Sequence, residues 1–186
     1  MAINLGFYPA KAFTRGRGRW SGRQDIVVCH ITDGKAGLKE FEANPTKNPA
    51  MFSGTMGWFC LPNTTTTTSC HFITDRGGRF LNIVKLDDMA HCNGNNAITR
   101  QLKGVKPIIK SRVDNANLYT YSIESEGYAA VGDPPGTPEQ LDAIFACICI
   151  CIDHMHSCGV TTFVPDRDHI IGHCHIRPDN RMNCPS

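Results

Sequence analysis

Apolar and polar positions along this chain sort into short blocks punctuated by glycine and proline. Residues 26–34, IVVCHITDG, run four apolar residues straight into a histidine, a threonine, an acid and a glycine. Such a run predicts a buried strand that ends in a tight polar turn, with His30 at its carboxyl end. In open α/β sheets ligands and catalytic groups collect at that end, because the strand fixes the side chain while the loop beyond leaves room for substrate. Residues 169–185, HIIGHCHIRPDNRMNCP, repeat the design: two isoleucines and a glycine lead into His173. Residues 118–123 alternate into a further strand that delivers Glu124, and Glu126 shares its face if the strand continues. Asp75-Arg76-Gly77-Gly78-Arg79 reads as a hairpin turn returning through residues 80–84, preceded by the threonine run 64–68 as loop and strand start.

The helical signals are as distinct. Residues 37–44 and 51–61 read as short helical pieces broken by Pro45 and Pro49, with Phe41, Phe52, Met56, Trp58 and Phe59 supplying apolar contacts. Residues 97–110 form a polar surface excursion and residues 132–136 a loop. Thr137-Pro138-Glu139-Gln140 starts a long helix, with threonine as N-cap, proline at the first position and glutamine closing a capping box. Leu141, Ile144, Phe145, Ile148, Ile152 and Met155 are its expected buried stripe, and Gly159 ends it. Residues 1–24 show no periodicity and are expected to be an arm packed along a single domain spanning 25–186.

Composition narrows the class. A chain of 186 residues fits one domain that buries roughly 70% of its unfolded surface. A net charge of +2 is too small to indicate nucleic acid, and no apolar run reaches the length of a membrane span. The N-terminal MAINLGFYPAKAF lacks the apolar core of a signal peptide, so synthesis in the cytoplasm is expected, with another route to any target outside. Lys11, Arg15, Arg17, Arg19 and Arg23 precede the first acid and read as a solvated arm, weak attraction to anionic polymers being the other reading. Ten cysteines with no CxxC pair read as reduced thiols, mostly small apolar filler. Cys147, Cys149 and Cys151 alternate along a helix and cannot all face one partner.

Cys184 stands apart, eleven residues beyond His173. Two strand-end histidines and a thiolate, His30, His173 and Cys184, are the three-ligand set of a catalytic zinc, which keeps its fourth position for water; a structural zinc would want four ligands in close pairs. His154 and His156 lie in the last turn of the long helix, where a partly positive imidazole suits the helix dipole.

Five motifs in order carry a resemblance: His-x-Thr-x-Gly at 30–34, Ser-x-His-Phe at 69–72, Ala90-His91, Asn-x-Tyr-Thr-x-Ser-Ile-Glu at 117–124, and the closing Gly-His…Asn-Cys-Pro. Over residues 25–185 the chain resembles the zinc-dependent N-acetylmuramoyl-L-alanine amidases of the phage endolysin and peptidoglycan-recognition-protein type. The resemblance implies an α/β domain with a central mixed sheet flanked by helices, no separate wall-binding domain, one zinc ion, a monomer, and peptidoglycan as partner. It implies hydrolysis of the amide between N-acetylmuramic acid and L-alanine, with Glu124 as proton shuttle, a role a carboxylate beside an activated water can fill. It places Thr32, His71 and His91 on the substrate side and allows one or two of the aromatics to line the substrate groove. The chain departs from the pattern at Arg181, three residues before Cys184, where relatives carry a lysine two before the third ligand; Arg181 is the candidate for oxyanion stabilisation. Cys70 stands where some members have a tyrosine. An acidic third ligand would fall at Asn183, a poor zinc ligand, so Cys184 is taken, with Asn183, His175 and Asp179 as alternatives. Other readings are a non-catalytic peptidoglycan receptor, a wall-recycling amidase and a structural zinc module; the Asn-Cys-Pro ending favours an endolysin.

Overall fold

The computed structural model describes residues 1–48, 51–61, 66–128, 136–161 and 163–184; Pro49, Thr64, Thr65, the loop through 135 and Pro185 lie outside them. Six strands form one mixed sheet: β1 (Ile3–Phe7), β2 (Ile26–Ile31), β3 (Phe72–Thr74), β4 (Arg79–Asn82), β5 (Thr120–Ser125) and β6 (Ile170–Gly172). Their order is β1-β4-β3-β5-β2-β6, with only the β3–β4 hairpin antiparallel. The expected α/β mixed sheet is therefore present, with helices on both faces.

The hairpin turn forms as its sequence demands. Asp75 Oδ1 accepts the N–H groups of Gly77 and Arg79 at 3.0 and 2.9 Å, and Gly78 takes φ 80°. Residues 66–71 run irregularly into β3, so the threonine run contributes no strand within its described part. The N-terminal arm is more than an arm: Ile3–Phe7 pairs in parallel with β4 as an edge strand.

Helix α4 (Pro138–Ser157) covers one face, packing Ala143, Cys147, Cys151 and Met155 against Val27, Phe72, Phe80, Tyr121 and Ile123. Its start is as expected in part. Thr137 Oγ1 accepts the N–H of Gln140 at 3.1 Å, a cap worth about 1 kcal/mol, but the Gln140 amide donates to Glu126 O at 2.8 Å instead of closing a capping box. The buried stripe is rotated from the expected one: Leu141 and Phe145 are exposed, Ile144 and Ile148 flank, and the small residues Ala143, Cys147 and Cys151 lie against the sheet. Cys149, between them, is only half-buried.

The opposite face carries α1 (Leu38–Ala43) and α2 (Gly54–Cys60), whose Leu38, Phe41, Met56 and Phe59 pack with Ile73, Leu81 and Ile83. Beside them α3 (Pro107–Lys110) packs Ile109 with Ile26, Val28, Tyr119 and Ile171. The start of α2 is fixed to the loop after β2, where Thr55 and Met56 donate to Lys35 O and Ala36 O at 2.9 and 3.0 Å. Only glycine permits that approach, since a Cβ at Gly54 would lie 2.0 Å from Lys35 O.

Candidate active site

Register, more than any one loop, assembles the site. In β2 and β5 His30 pairs with Glu124, and in β2 and β6 Cys29 pairs with Gly172, so the next residue, His173, falls beside His30. His173, His30 and Glu124 thus form a row across three neighbouring strands at their carboxyl ends. Alternation turns Thr120, Ser122 and Glu124 away from α4, because Tyr121 and Ile123 face it.

Gly172 ends β6, and a single 3-10 turn (His173–His175) carries the chain away from the sheet. The C-terminal segment then returns: Cys184 O accepts Cys174 N–H at 2.8 Å and Cys184 N–H donates to Arg181 O at 3.1 Å. This brings Cys184 against the two histidines, so that one donor atom each from His30, His173 and Cys184 lies within 4.8 Å of the others, and all three residues are buried. The imidazole centroids of His30 and His173 are 4.5 Å apart. None of the alternative third donors is so placed. His175 Nδ1 accepts Gly172 N–H at 3.1 Å, Asp179 is paired with Arg177 at 2.9 and 3.0 Å, and Asn183 is exposed.

Electrostatics single out the same groups. Burial lowers His30 to about 4 and His173 to about 2, so both are neutral imidazoles able to donate a lone pair. Burial pushes the Cys184 thiol up to about 12, so an anionic sulfur here calls for a cation beside it. The Ile31 N–H already donates to Cys184 Sγ at 3.4 Å. Two neutral histidines and a thiolate-capable cysteine, one with its amide partner in place, fit a borderline-soft ion such as zinc. Glu124 Oε1 lies 3.7 Å from His30 Nδ1, and burial raises its carboxyl to about 8. The far nitrogen of His30, Nε2, is 2.6 Å from Asn93 Oδ1.

These groups open onto a cleft of about 750 Å³, lined also by Thr32, Lys35, Trp58, Phe59, Cys92, Arg181 and Asn183. Trp58 and Phe59 are the aromatics that reach the groove. Arg181 is exposed on its rim, and its charge lowers the pKa of Glu124 and of both histidines. Of the three residues expected on the substrate side, only Thr32 lines the cleft. His71 is buried beneath the sheet's polar face, with Nε2 2.6 Å from Arg17 Nη2 and Nδ1 3.0 Å from Ser122 Oγ, so it holds the fold. His91 is held by Thr14 Oγ1 at 3.0 Å and by Thr67 O at 3.1 Å, outside the lining. Arg17, expected in a solvated arm, is buried and donates to the carbonyls of Asn117, Leu118, Thr120 and Leu86. Glu126 lies beyond the end of β5 and turns to the hairpin, accepting Arg76 N–H at 3.2 Å. Asn93 and Cys92, both at the site, had no signal in the sequence.

A buried triad of metal-capable donors with a carboxyl beside it, at the strand ends of an α/β sheet and open to a cleft, is an arrangement that suits a hydrolase. The family description of the N-acetylmuramoyl-L-alanine amidases matches residues 21–186, and the chain belongs to that family. No curated protein sequence matches it. Among solved structures, a selenomethionine derivative of AmpD is similar with TM-score 0.55 and 16% identity, covering 98% of this chain and 86% of that one. The N-acetylmuramoyl-L-alanine amidase LysC from Clostridium intestinale is similar with TM-score 0.51 and 13% identity over 100% and 89% of the two chains. The amidase AmiD from E. coli, in complex with anhydro-N-acetylmuramic acid-L-Ala-D-γ-Glu-L-Lys, gives 0.51 and 14% over 93% and 61%. These likenesses concern the fold; the family match carries the amidase activity on peptidoglycan.

Proposed function

We propose that the chain is a zinc-dependent amidase that cuts between N-acetylmuramic acid and the L-alanine of the stem peptide, acting as an endolysin on the bacterial wall. The observation that carries this is the row His173–His30–Glu124 with Cys184 closing it over a cleft. The AmiD complex holds a muramyl peptide, and the same class of substrate is the one proposed here. Synthesis in the cytoplasm, release to the wall by another route and action as a monomer belong to the same reading.

His30, His173 and Cys184 would hold the zinc, which when bound supplies Lewis acidity and lowers the pKa of water to about 7. Glu124 takes the proton of the attacking water as its oxygen bonds to the lactyl carbonyl carbon. It then returns that proton to the alanine nitrogen as the C–N bond breaks, leaving a carboxylate and a free amine. Burial strengthens Glu124 as a base by raising its carboxyl above the usual carboxylate range, and a cation bound beside it would draw that value back down, so that the ionised form can take the water's proton. Arg181, on the rim, offers positive charge to the oxyanion of the tetrahedral intermediate. Trp58 and Phe59 give the apolar wall of the cleft, against which the substrate's non-reacting parts are oriented. Digestion of purified peptidoglycan should release stem peptides with new L-alanine amino termini and no new reducing sugar ends. New reducing ends would mean glycosidase chemistry and would sink the proposal.

A further inference from the structure

Which nitrogen of His30 faces the cleft is decided by a chain of hydrogen bonds that starts at the turn before β5, far in sequence from His30, His173 and Cys184. Thr120 Oγ1 lies 2.7 Å from Ala116 O, a carbonyl that can only accept, so the single hydroxyl proton goes there. The Thr120 oxygen can then only accept from its other neighbour, the Asn93 side chain, at 2.7 Å. That neighbour must be the amide nitrogen Nδ2, because Oδ1 in its place would set two acceptors against each other. The amide orientation follows, and Oδ1 points at His30 Nε2, 2.6 Å away. An acceptor there requires Nε2 to carry the proton of the neutral ring. Nδ1 is left as a bare lone pair on the side of Glu124, whose Oε1 is 3.7 Å from it. The backbone of Asn93 is pinned as well, its N–H donating to Asn117 Oδ1 at 2.6 Å. Thr120, Asn93 and His30 are all buried, so water does not compete for these bonds.

We propose that Asn93 and Thr120 are a positioning pair that sets the proton of His30 on Nε2 and so presents Nδ1 to the metal. The inference rests on the reading of His30 as a ligand, but its first readout does not. If Asn93 were turned, its NH2 would face Nε2, the proton would move to Nδ1, and the ligand atom would be blocked before any metal arrived. The arrangement also joins the two functions of β5. Thr120 and Glu124 lie on one face of the strand, four residues apart, one fixing the far nitrogen of His30 through Asn93 and the other standing at the near nitrogen. Outer partners of metal-bound histidines hold ring orientation and basicity, and losing one typically costs about 10–100-fold in metal affinity.

The test reads the tautomer directly. In metal-free protein carrying 15N-labelled histidine, the His30 ring signals, assigned by their loss in His30→Gln, should show a protonated Nε2 and an unprotonated Nδ1. Asn93→Leu removes the acceptor, and the Nδ1-protonated form should appear. Zinc affinity, measured by competition with a chromophoric chelator, should fall about 10–100-fold. Asn93→Asp keeps an acceptor at the same atom and should retain the Nε2 proton. Thr120→Val, which keeps shape and frees the amide to turn, should act in the same direction as Asn93→Leu, and Thr120→Ser should restore both readouts. The Val and Ser pair keeps the test decisive even where Asn93→Leu does not fold. A wild-type His30 protonated on Nδ1, or a Thr120→Val protein with unchanged tautomer and zinc affinity, would overturn the proposal. Loss of amidase activity with the tautomer as described would count against the functional reading instead.

Discussion

Among the described residues, two clusters bring a histidine, a cysteine and further donors together, and they differ in nearly every respect that matters. In the first, His30, His173 and Cys184 come from three separate segments, are buried, and open onto the cleft. In the second, Asp87, His154 and Cys158 gather at the last turn of α4 with Asp87 exposed. There His154 Nε2 lies 3.1 Å from Asp87 Oδ1, and Nδ1 is 2.8 Å from the Tyr121 hydroxyl. Cys158 Sγ is almost equidistant from the two ring nitrogens, at 4.0 and 3.9 Å, which places it off the lone-pair axis of either. That is the geometry of a hydrogen-bonded histidine at a helix C-terminus, with its two ring nitrogens already engaged by Asp87 and Tyr121. Nearness of donors does not make a site. Burial, lone pairs aimed at a common point by outer hydrogen bonds, and a cleft for substrate do.

The largest expected contrast is in activity. Cys184→Ser should lower wall hydrolysis by on the order of 10³-fold or more, because a hydroxyl is a poor replacement for a thiolate ligand, whereas Cys158→Ser should leave it unchanged. Equal losses in turbidity assays of wall suspensions would erase the distinction. Next comes Glu124→Gln, which should cost about 10²–10⁴ in turnover with metal retained, while Glu126→Gln, turned to the hairpin, should cost far less. The reverse order would show that the β5 register assigns the wrong carboxylate.

Ionisation gives a third contrast. Glu124 is raised from 4.5 to about 8 by burial, so its neutral form stabilises the fold. That stability is present below the unfolded value and is lost as pH rises through about 8. His30, lowered from 6.5 to about 4, works in the opposite sense: its contribution is present above 6.5 and is lost as pH falls through about 4. Metal-free Glu124→Gln should therefore gain on the wild type by on the order of a few kcal/mol between pH 5 and about 9 in chemical denaturation. A constant difference across that range would mean that Glu124 is not buried as described. The smallest effect belongs to the second cluster. Asp87→Asn removes an exposed pair and should change stability by less than about 1 kcal/mol, with no change in activity.

The strand ends of the first cluster were legible because chemistry and pattern coincide: an apolar run, then a histidine, then turn residues. Cys184 came from the resemblance, whose register puts the third ligand at Asn183, a poor amide donor, one residue short of the thiol. The face of α4 was not, because Leu141 and Phe145 outweigh Ala143, Cys147 and Cys151 in any apolar count, yet the small residues let the helix approach the sheet. Strand β1 escaped because an edge strand with both faces largely exposed carries no alternation. Arg17 looks like its basic neighbours in sequence, and only folding places it under β5. Asn93 meets His30 across 63 residues, and one asparagine in a polar stretch announces no such partner. His71 and His91, assigned to substrate by motif, are held by Arg17 and Ser122 and by Thr14 and Thr67; Ser122 belongs to a different motif 51 residues from His71, and the other three belong to none, so no motif announces these pairings.

Metal analysis of three purified proteins side by side tests the central claim most directly. Wild type and Cys158→Ser should each contain about one zinc per chain, and Cys184→Ser should contain almost none, as a three-ligand site requires. Zinc retained in Cys184→Ser and lost in Cys158→Ser would move the metal to the helix end and contradict the account.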